Sequence, residues 1–131
     1  MSPAPLGLVV LISGYGSNLQ AIMDATASGE IATRIRAVIS NRPAAPGLDR
    51  ARQAGIPAVV VEGRRGQPRS EYDNALQRAI EPFEPDLIAL AGFMRILTPG
   101  FVQHYAGRML NIHPSLLPRY RGLHTHQRAL E

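Results

Sequence analysis

Residues 6–18 run Leu6-Gly7-Leu8-Val9-Val10-Leu11-Ile12-Ser13-Gly14-Tyr15-Gly16-Ser17-Asn18. The first seven residues contain no polar side chain, which is typical of a strand buried on both faces of a parallel sheet. The glycines after it allow a tight turn, and Ser17 and Asn18 begin an amphipathic segment that predicts a helix. This strand, turn and helix predict the first unit of an α/β fold.

The rest of the chain repeats this alternation of apolar runs and amphipathic segments. Further strands are predicted at residues 34–40, 57–61, 85–91 and 108–112. Helices are predicted at residues 17–27, 47–54, 70–82 and 99–105. Strands that alternate with helices favour parallel pairing with crossover helices. We therefore expect a Rossmann-like, mostly parallel sheet with flanking helices, formed by residues 1–131 as a single domain.

Composition narrows the chemistry that the chain can carry. The 131 residues are 45% hydrophobic, enough for one core, and they include no cysteine, which excludes disulfides and thiolate metal ligands. All 14 basic residues are arginine, so Schiff-base lysine chemistry is excluded as well. The net charge of +4 is spread along the chain rather than gathered in one stripe, so small anionic substrates explain it as well as nucleic acid would, and we expect no nucleic-acid partner. No apolar run approaches the ~20 residues of a membrane span and no signal peptide is evident, so we expect a cytoplasmic protein without a membrane partner.

The glycine turn at the start of the first helix is a candidate phosphate site. Free backbone N–H groups at a helix start attract anions, and Gly16, Ser17 and Asn18 stand where such a ligand would bind. The absence of a third glycine and of a lysine argues against a dinucleotide fingerprint or a P-loop. The alternative is a plain strand-to-helix turn capped by serine.

A second candidate is Gly92-Phe93-Met94-Arg95-Ile96-Leu97, which follows a predicted buried strand. Open α/β sheets bind ligands at the carboxyl ends of their strands. Apolar side chains beside free backbone polar groups suit a flat heteroaromatic ring. The alternative is that Met94, Ile96 and Leu97 fill the core under a loop.

The third candidate is the pair Asn111 and His113 at the end of the last predicted strand. Strand alternation puts both side chains on one side. An amide that donates to an oxyanion beside an imidazole that moves a proton suits acyl transfer, although a single histidine is more often structural. His124 and His126 lie two residues apart, a poor spacing for zinc on a helix, and we expect no metal.

Three segments together resemble the glycinamide ribonucleotide formyltransferases of purine synthesis. They are Ser13-Gly14-Tyr15-Gly16-Ser17-Asn18-Leu19-Gln20, Ala91-Gly92-Phe93-Met94-Arg95-Ile96-Leu97 and Asn111-Ile112-His113-Pro114-Ser115-Leu116-Leu117-Pro118. The resemblance implies formyl transfer from 10-formyltetrahydrofolate to the amine of glycinamide ribonucleotide, by a monomer or homodimer. It implies that Gly16, Ser17 and Asn18 bind the phosphate and that Asn111 and His113 are catalytic. It also implies a folate site formed by Arg69, Met94, Arg95, Ile96, Leu97 and Asn111.

Two departures from the family pattern qualify the resemblance. Tyr15 replaces a smaller residue and could narrow the phosphate entrance. The family's catalytic aspartate has no counterpart here, and the chain stops inside a predicted helix, so we expect a chain truncated at its C-terminus and poorly active by itself. One alternative is a methionyl-tRNA formyltransferase, suggested by Ser115-Leu116-Leu117-Pro118 and Arg119-Tyr120-Arg121-Gly122. Another is a non-catalytic nucleotide-binding module.

Overall fold

Strands and helices alternate through residues 5–112, which are the residues that the computed structural model describes. The strands are β1 Leu6–Ile12, β2 Thr33–Ser40, β3 Ala58–Val60, β4 Leu87–Leu90 and β5 Met109–Asn111. The helices are α1 Ser17–Ser28, α2 Pro46–Gln53, α3 Arg69–Ile80 and α4 Pro99–His104. Every strand and helix predicted within residues 5–112 is present, with bounds shifted by at most two residues, and the helix predicted at the end of the chain lies outside the described residues.

The sheet is parallel throughout, with the strand order β3-β2-β1-β4-β5. The Rossmann-like prediction is therefore confirmed. β1 lies at the centre, and the chain first moves to one side of it through β2 and β3, then returns to the other side through β4 and β5. This reversal between β1 and β4 is the point where open α/β sheets bind ligands, because the loops leaving the two strands diverge there.

The central strand divides the core into two layers. Leu8, Val10 and Ile12 point to one face and pack with residues of α1 and α2. Val9 and Leu11 point to the opposite face and pack with residues of α3 and α4. All five side chains are buried. Burial contributes roughly 1.5–3 kcal/mol for each such side chain, so β1 is an anchor for both layers.

Local sequence signals explain where two of the helices begin or end. α4 begins as predicted after Thr98, whose Oγ1 accepts a hydrogen bond from the Phe101 N–H at 3.2 Å. The helix predicted at residues 70–82 instead ends at Ile80 and continues as a short 3₁₀ turn, Glu81–Phe83. Pro82 has no N–H to donate to the preceding turn, which accounts for the change. Within residues 5–112, no helix has the length and apolar character needed to cross a membrane.

Candidate functional site

The glycine loop between β1 and α1 is held by close backbone contact with the start of α2. Gly16 has a left-handed φ of 80°, and a Cβ on it would lie 2.9 Å from the Gly47 Cα. The Gly47 N–H donates to the Gly14 carbonyl oxygen at 3.1 Å. Arg50 stabilises the loop further, because its Nε–H donates a hydrogen bond to the Tyr15 carbonyl oxygen at 2.8 Å. The loop therefore has a fixed shape that only glycine at position 16 permits without strain.

The loop lines a cleft of about 390 Å³ at the carboxyl edge of the sheet. Gly16, Ser17 and Asn18 all line this cleft, as the phosphate prediction requires. Gly16 is the residue that caps α1, and no side chain caps the helix, so the predicted serine cap is wrong, while phosphate binding by this turn stays a prediction. The first intrahelical bond is the one from the Gln20 N–H to the Gly16 carbonyl oxygen. The N–H groups before Gln20 are not used by the helix itself and carry its positive dipole end.

Three further residues of the cleft were not assigned to the phosphate site from the sequence. Arg42, from the loop after β2, lines it, as do Ala91 and Gly92 from the loop after β4. Arg42 stands two residues beyond the end of a central parallel strand, which is the signal that could have identified it. Tyr15 lines the cleft with 76% of its surface exposed, so it stands at the cleft's mouth rather than in its interior.

A buried hydroxyl joins the loops that leave β1, β2 and β4. Ser13 is 3% exposed, and its Oγ donates to Asn41 Oδ1 at 2.5 Å. The same oxygen accepts a hydrogen bond from the Met94 N–H at 2.8 Å. Ser13 thus fixes the spacing between the glycine loop and the segment of residues 90–97.

A larger groove of about 770 Å³ lies on the other side of that segment. Its walls are mostly apolar and include Leu90, Leu97, Val102, Tyr105 and Met109. Burial raises the pKa of the Tyr105 phenol well above its usual value, so the hydroxyl remains neutral and donates to Glu81 Oε1 at 3.1 Å. We call this feature the apolar groove.

The predicted folate residues divide among several places. Arg95, Leu97 and Asn111 line the apolar groove. Met94 instead lines the glycine-loop cleft, and Ile96 lines neither. Met94 and Ile96 are 74% and 69% exposed, so they do not fill the core, whereas Leu97 does pack against it. Arg69 is exposed at the first residue of α3.

Helix α3 supports the wall of the groove from behind. The Arg95 guanidinium carbon lies 3.7 Å from the centroid of the Tyr72 ring. The Tyr72 hydroxyl donates to the Val61 carbonyl oxygen at 2.7 Å, and burial raises the pKa of Tyr72 to about 12. The next residue, Asp73, is buried and accepts a hydrogen bond from the Thr98 N–H at 2.7 Å. These contacts fix both ends of the segment that carries Arg95 and Leu97.

The end of β5 brings the groove close to the glycine loop. Asn111 is exposed and pairs in register with Leu90, and the Ile112 N–H donates to the Leu90 carbonyl oxygen at 2.9 Å. The Asn18 side-chain amide reaches the Ile112 carbonyl oxygen at 3.5 Å. Asn111 therefore stands one residue from a contact with the predicted phosphate loop. His113 lies outside the described residues, so its pairing with Asn111 stays a prediction.

Comparison with known proteins identifies the family. The sequence model of the formyl transferase family matches residues 6–131. The chain belongs to this family. The formyl transferase chain is 57% identical to phosphoribosylglycinamide formyltransferase of Escherichia coli over 126 residues, which are 96% of this chain and 59% of that protein. It is 52% identical to the Haemophilus influenzae protein of the same name, covering 95% of this chain and 58% of that one.

A solved structure agrees with the sequence matches. Phosphoribosylglycinamide formyltransferase from Coxiella burnetii superposes with a TM-score of 0.79 at 56% identity, covering 96% of this chain and 59% of that one. The resemblance drawn from the three sequence segments is therefore confirmed. The formyl transferase chain spans about three fifths of the length of these relatives. Within residues 5–112, no group of three or more histidine, aspartate or glutamate side chains is placed to hold a metal ion.

Proposed function

We propose that the protein transfers the formyl group of 10-formyltetrahydrofolate to the amine of glycinamide ribonucleotide, a step of purine synthesis. One observation carries the proposal. Two clefts of different character border residues 90–97, with Ala91, Gly92 and Met94 lining one and Leu90 and Arg95 lining the other. A reaction between an anionic nucleotide and a flat folate needs two such clefts side by side. The names of the relatives support the same reaction.

The glycine-loop cleft has the chemistry of a phosphate monoester site. Backbone N–H groups and the dipole of α1 attract an anion, and Arg42 adds a cation to the lining. The Asn18 side chain adds an amide beside them. A phosphate bound here would leave the rest of the nucleotide directed along the sheet edge toward Asn111, because Asn18 already contacts the end of β5.

The apolar groove has the chemistry of a folate site. Its volume of about 770 Å³ lies within the ~300–1,000 Å³ typical of pockets that enclose drug-sized ligands. Leu90, Leu97 and Val102 offer apolar walls to a flat ring, while Arg95 and Asn111 supply hydrogen-bond donors. The donor's formyl carbon would then face the edge shared with the other cleft.

In the transfer itself the substrate amine attacks the formyl carbon, and a new C–N bond forms. The carbonyl oxygen gains negative charge, to which the Asn111 amide donates a hydrogen bond. His113 stabilises this charge and helps move the proton from the attacking amine to the departing folate nitrogen as the old C–N bond breaks. Placing two substrates in adjacent clefts contributes much of the acceleration, because it replaces a bimolecular encounter with a fixed geometry.

The test is a formyl-transfer assay of the complete gene product with 10-formyltetrahydrofolate and two competing acceptors. Transfer to glycinamide ribonucleotide alone supports the proposal. Transfer to initiator methionyl-tRNA alone would establish the methionyl-tRNA alternative. Binding of a phosphate ligand by calorimetry, without transfer to either acceptor, would establish the non-catalytic module.

A pair of arginine variants tests the phosphate end separately. We expect Arg42→Gln to raise the KM for the nucleotide by about threefold to tenfold, because one charge-assisted hydrogen bond near solvent is lost. Arg34→Gln is the matched control, since Arg34 is an exposed residue at the opposite end of β2. If the two substitutions raise the KM for the nucleotide equally, Arg42 does not take part in the phosphate site. Cytoplasmic location, a single domain and a monomeric or homodimeric state stay predictions.

A further inference from the structure

The guanidinium of Arg95 lies against two residues, Tyr72 and Gly63, that line neither cleft. On one side it lies over the ring of Tyr72, 3.7 Å from the centroid. Tyr72 cannot move away, because it is fully buried and its hydroxyl bonds to the Val61 carbonyl oxygen. Cation–π contact of this kind is stronger when the ring is removed from water.

Gly63 lies at the edge of the guanidinium beside the Tyr72 ring, where a Cβ on it would also be 3.4 Å from Tyr72 Cδ2. A Cβ on Gly63 would lie 2.5 Å from Arg95 Nη1 and 3.1 Å from Arg95 Cζ. The φ of Gly63 is not positive, so the backbone there accepts other residues. Glycine at position 63 therefore matters for the space that it leaves to the Arg95 guanidinium, rather than for its backbone freedom.

We infer that Tyr72 and Gly63 are positioning residues that hold Arg95 in the wall of the apolar groove and thereby set the affinity for the formyl donor. The inference rests on the proposed function, since it takes the groove as the donor site. Tyr72 and Gly63 act through Arg95 and need no contact with the substrate.

The hydrogen-bond donors of the Arg95 guanidinium explain why the position of this side chain matters. Its guanidinium has five N–H donors, and within residues 5–112 none of them is given to a protein acceptor. Contact with Tyr72 therefore orders the side chain without using up its donors. An arginine ordered before binding spares the ligand the entropy of ordering it, which is the usual advantage of preorganisation.

The test compares Gly63→Ala with wild type in the complete gene product. The new methyl group has to displace the guanidinium, because the far end of that side chain is the group that can move. We expect the KM for 10-formyltetrahydrofolate to rise by about twofold to tenfold, which is the cost of ordering one long side chain. The Kd of tetrahydrofolate by calorimetry should rise by the same factor. The KM for glycinamide ribonucleotide and the unfolding midpoint should not change.

Substitutions at Tyr72 separate the ring from its hydroxyl. Tyr72→Phe keeps the ring, so donor affinity should be retained, whereas Tyr72→Leu should reproduce the effect of Gly63→Ala. Gly100→Ala is the matched glycine control, because a Cβ at Gly100 meets nothing within 4 Å and its φ is not positive. If Tyr72→Leu fails to fold, Gly63→Ala still decides, since it leaves the core side chains in place.

A double variant shows whether the effect passes through Arg95. In an Arg95→Ala background, Gly63→Ala should cause no further loss of donor affinity. An additional loss there, an unchanged donor KM in Gly63→Ala, or equal increases in both KM values would each overturn the inference. A wild-type protein that transfers no formyl group would instead refute the proposed function, and tetrahydrofolate calorimetry would still decide whether Gly63 and Tyr72 act on the groove.

Discussion

Replacement of Ser13 by alanine should weaken the fold and the site together. The Ser13 hydroxyl links three loops, since it donates to Asn41 Oδ1 at 2.5 Å and accepts from the Met94 N–H at 2.8 Å. Alanine removes both bonds and leaves two polar groups without their partner. Each such group costs about 1–3 kcal/mol when it is fully buried.

The expected loss is smaller than the sum of two full penalties. Both bonds are only partly buried, so water can solvate part of what the hydroxyl leaves behind. We expect the free energy of unfolding to fall by about 1–3 kcal/mol. Because Met94 lines the glycine-loop cleft and Arg95 beside it lines the apolar groove, we also expect the KM of both substrates to rise.

Urea denaturation of the complete gene product gives the measurement. Ser70→Ala is the matched control, because Ser70 is exposed on α3, and a change there should stay within about 0.5 kcal/mol. Asn41→Ala and the double variant complete a cycle, in which the coupling between positions 13 and 41 should be about 0.5 kcal/mol or more. A loss no larger than that of Ser70→Ala, or strictly additive effects at the two positions, would refute the role assigned to the hydroxyl.

Three other changes test the chemistry and the fold. Asn111→Leu should lower kcat by roughly a hundredfold or more with a smaller change in substrate affinity, because a donor to an oxyanion acts on the transition state. If steady-state kinetics show equal losses in kcat and in substrate affinity, Asn111 is a binding residue instead. His113→Ala should abolish transfer and leave the unfolding midpoint unchanged, so a variant with near-normal turnover in the formyl-transfer assay would contradict the role of this imidazole. The hydrogen bond with His104 lowers the pKa of Glu81 from its ordinary value of 4.5, aided by the Tyr105 hydroxyl and opposed by burial. A carboxyl whose pKa is lowered by folding stabilises the protein at pH values above its ordinary pKa, and this stability is lost as the pH falls through the pKa of the folded state. Glu81→Gln should therefore flatten the fall in unfolding free energy below about pH 4.5. Glu62→Gln, at an exposed position, should not.

Features coded by local sequence were predictable, and features that depend on strand order were not. The apolar run of β1 and the Thr98 cap are local signals, and both predicted the elements that form. The sequence shows that Arg42 follows a predicted strand, but only the position of β2 beside β1 in the sheet brings it to the cleft. Val102 lies on α4 and Tyr105 directly follows it, and only the crossover from β4 to β5 makes them walls of a groove.

In the glycine loop, one feature follows from the local sequence and another depends on a contact with a distant segment of the chain. Its sequence predicts a tight turn at Gly16, since the residue precedes a helix, but not the need for a second glycine 31 positions later. A Cβ on Gly47 would lie 2.5 Å from Ile12 Cδ1 and 3.2 Å from the Gly14 carbonyl oxygen. The two glycines are required together, because the start of α2 reaches the loop only when both lack side chains. The loop's shape is therefore set partly by α2, and a side chain at position 47 should disturb phosphate binding although Gly47 is not among the residues that line the cleft.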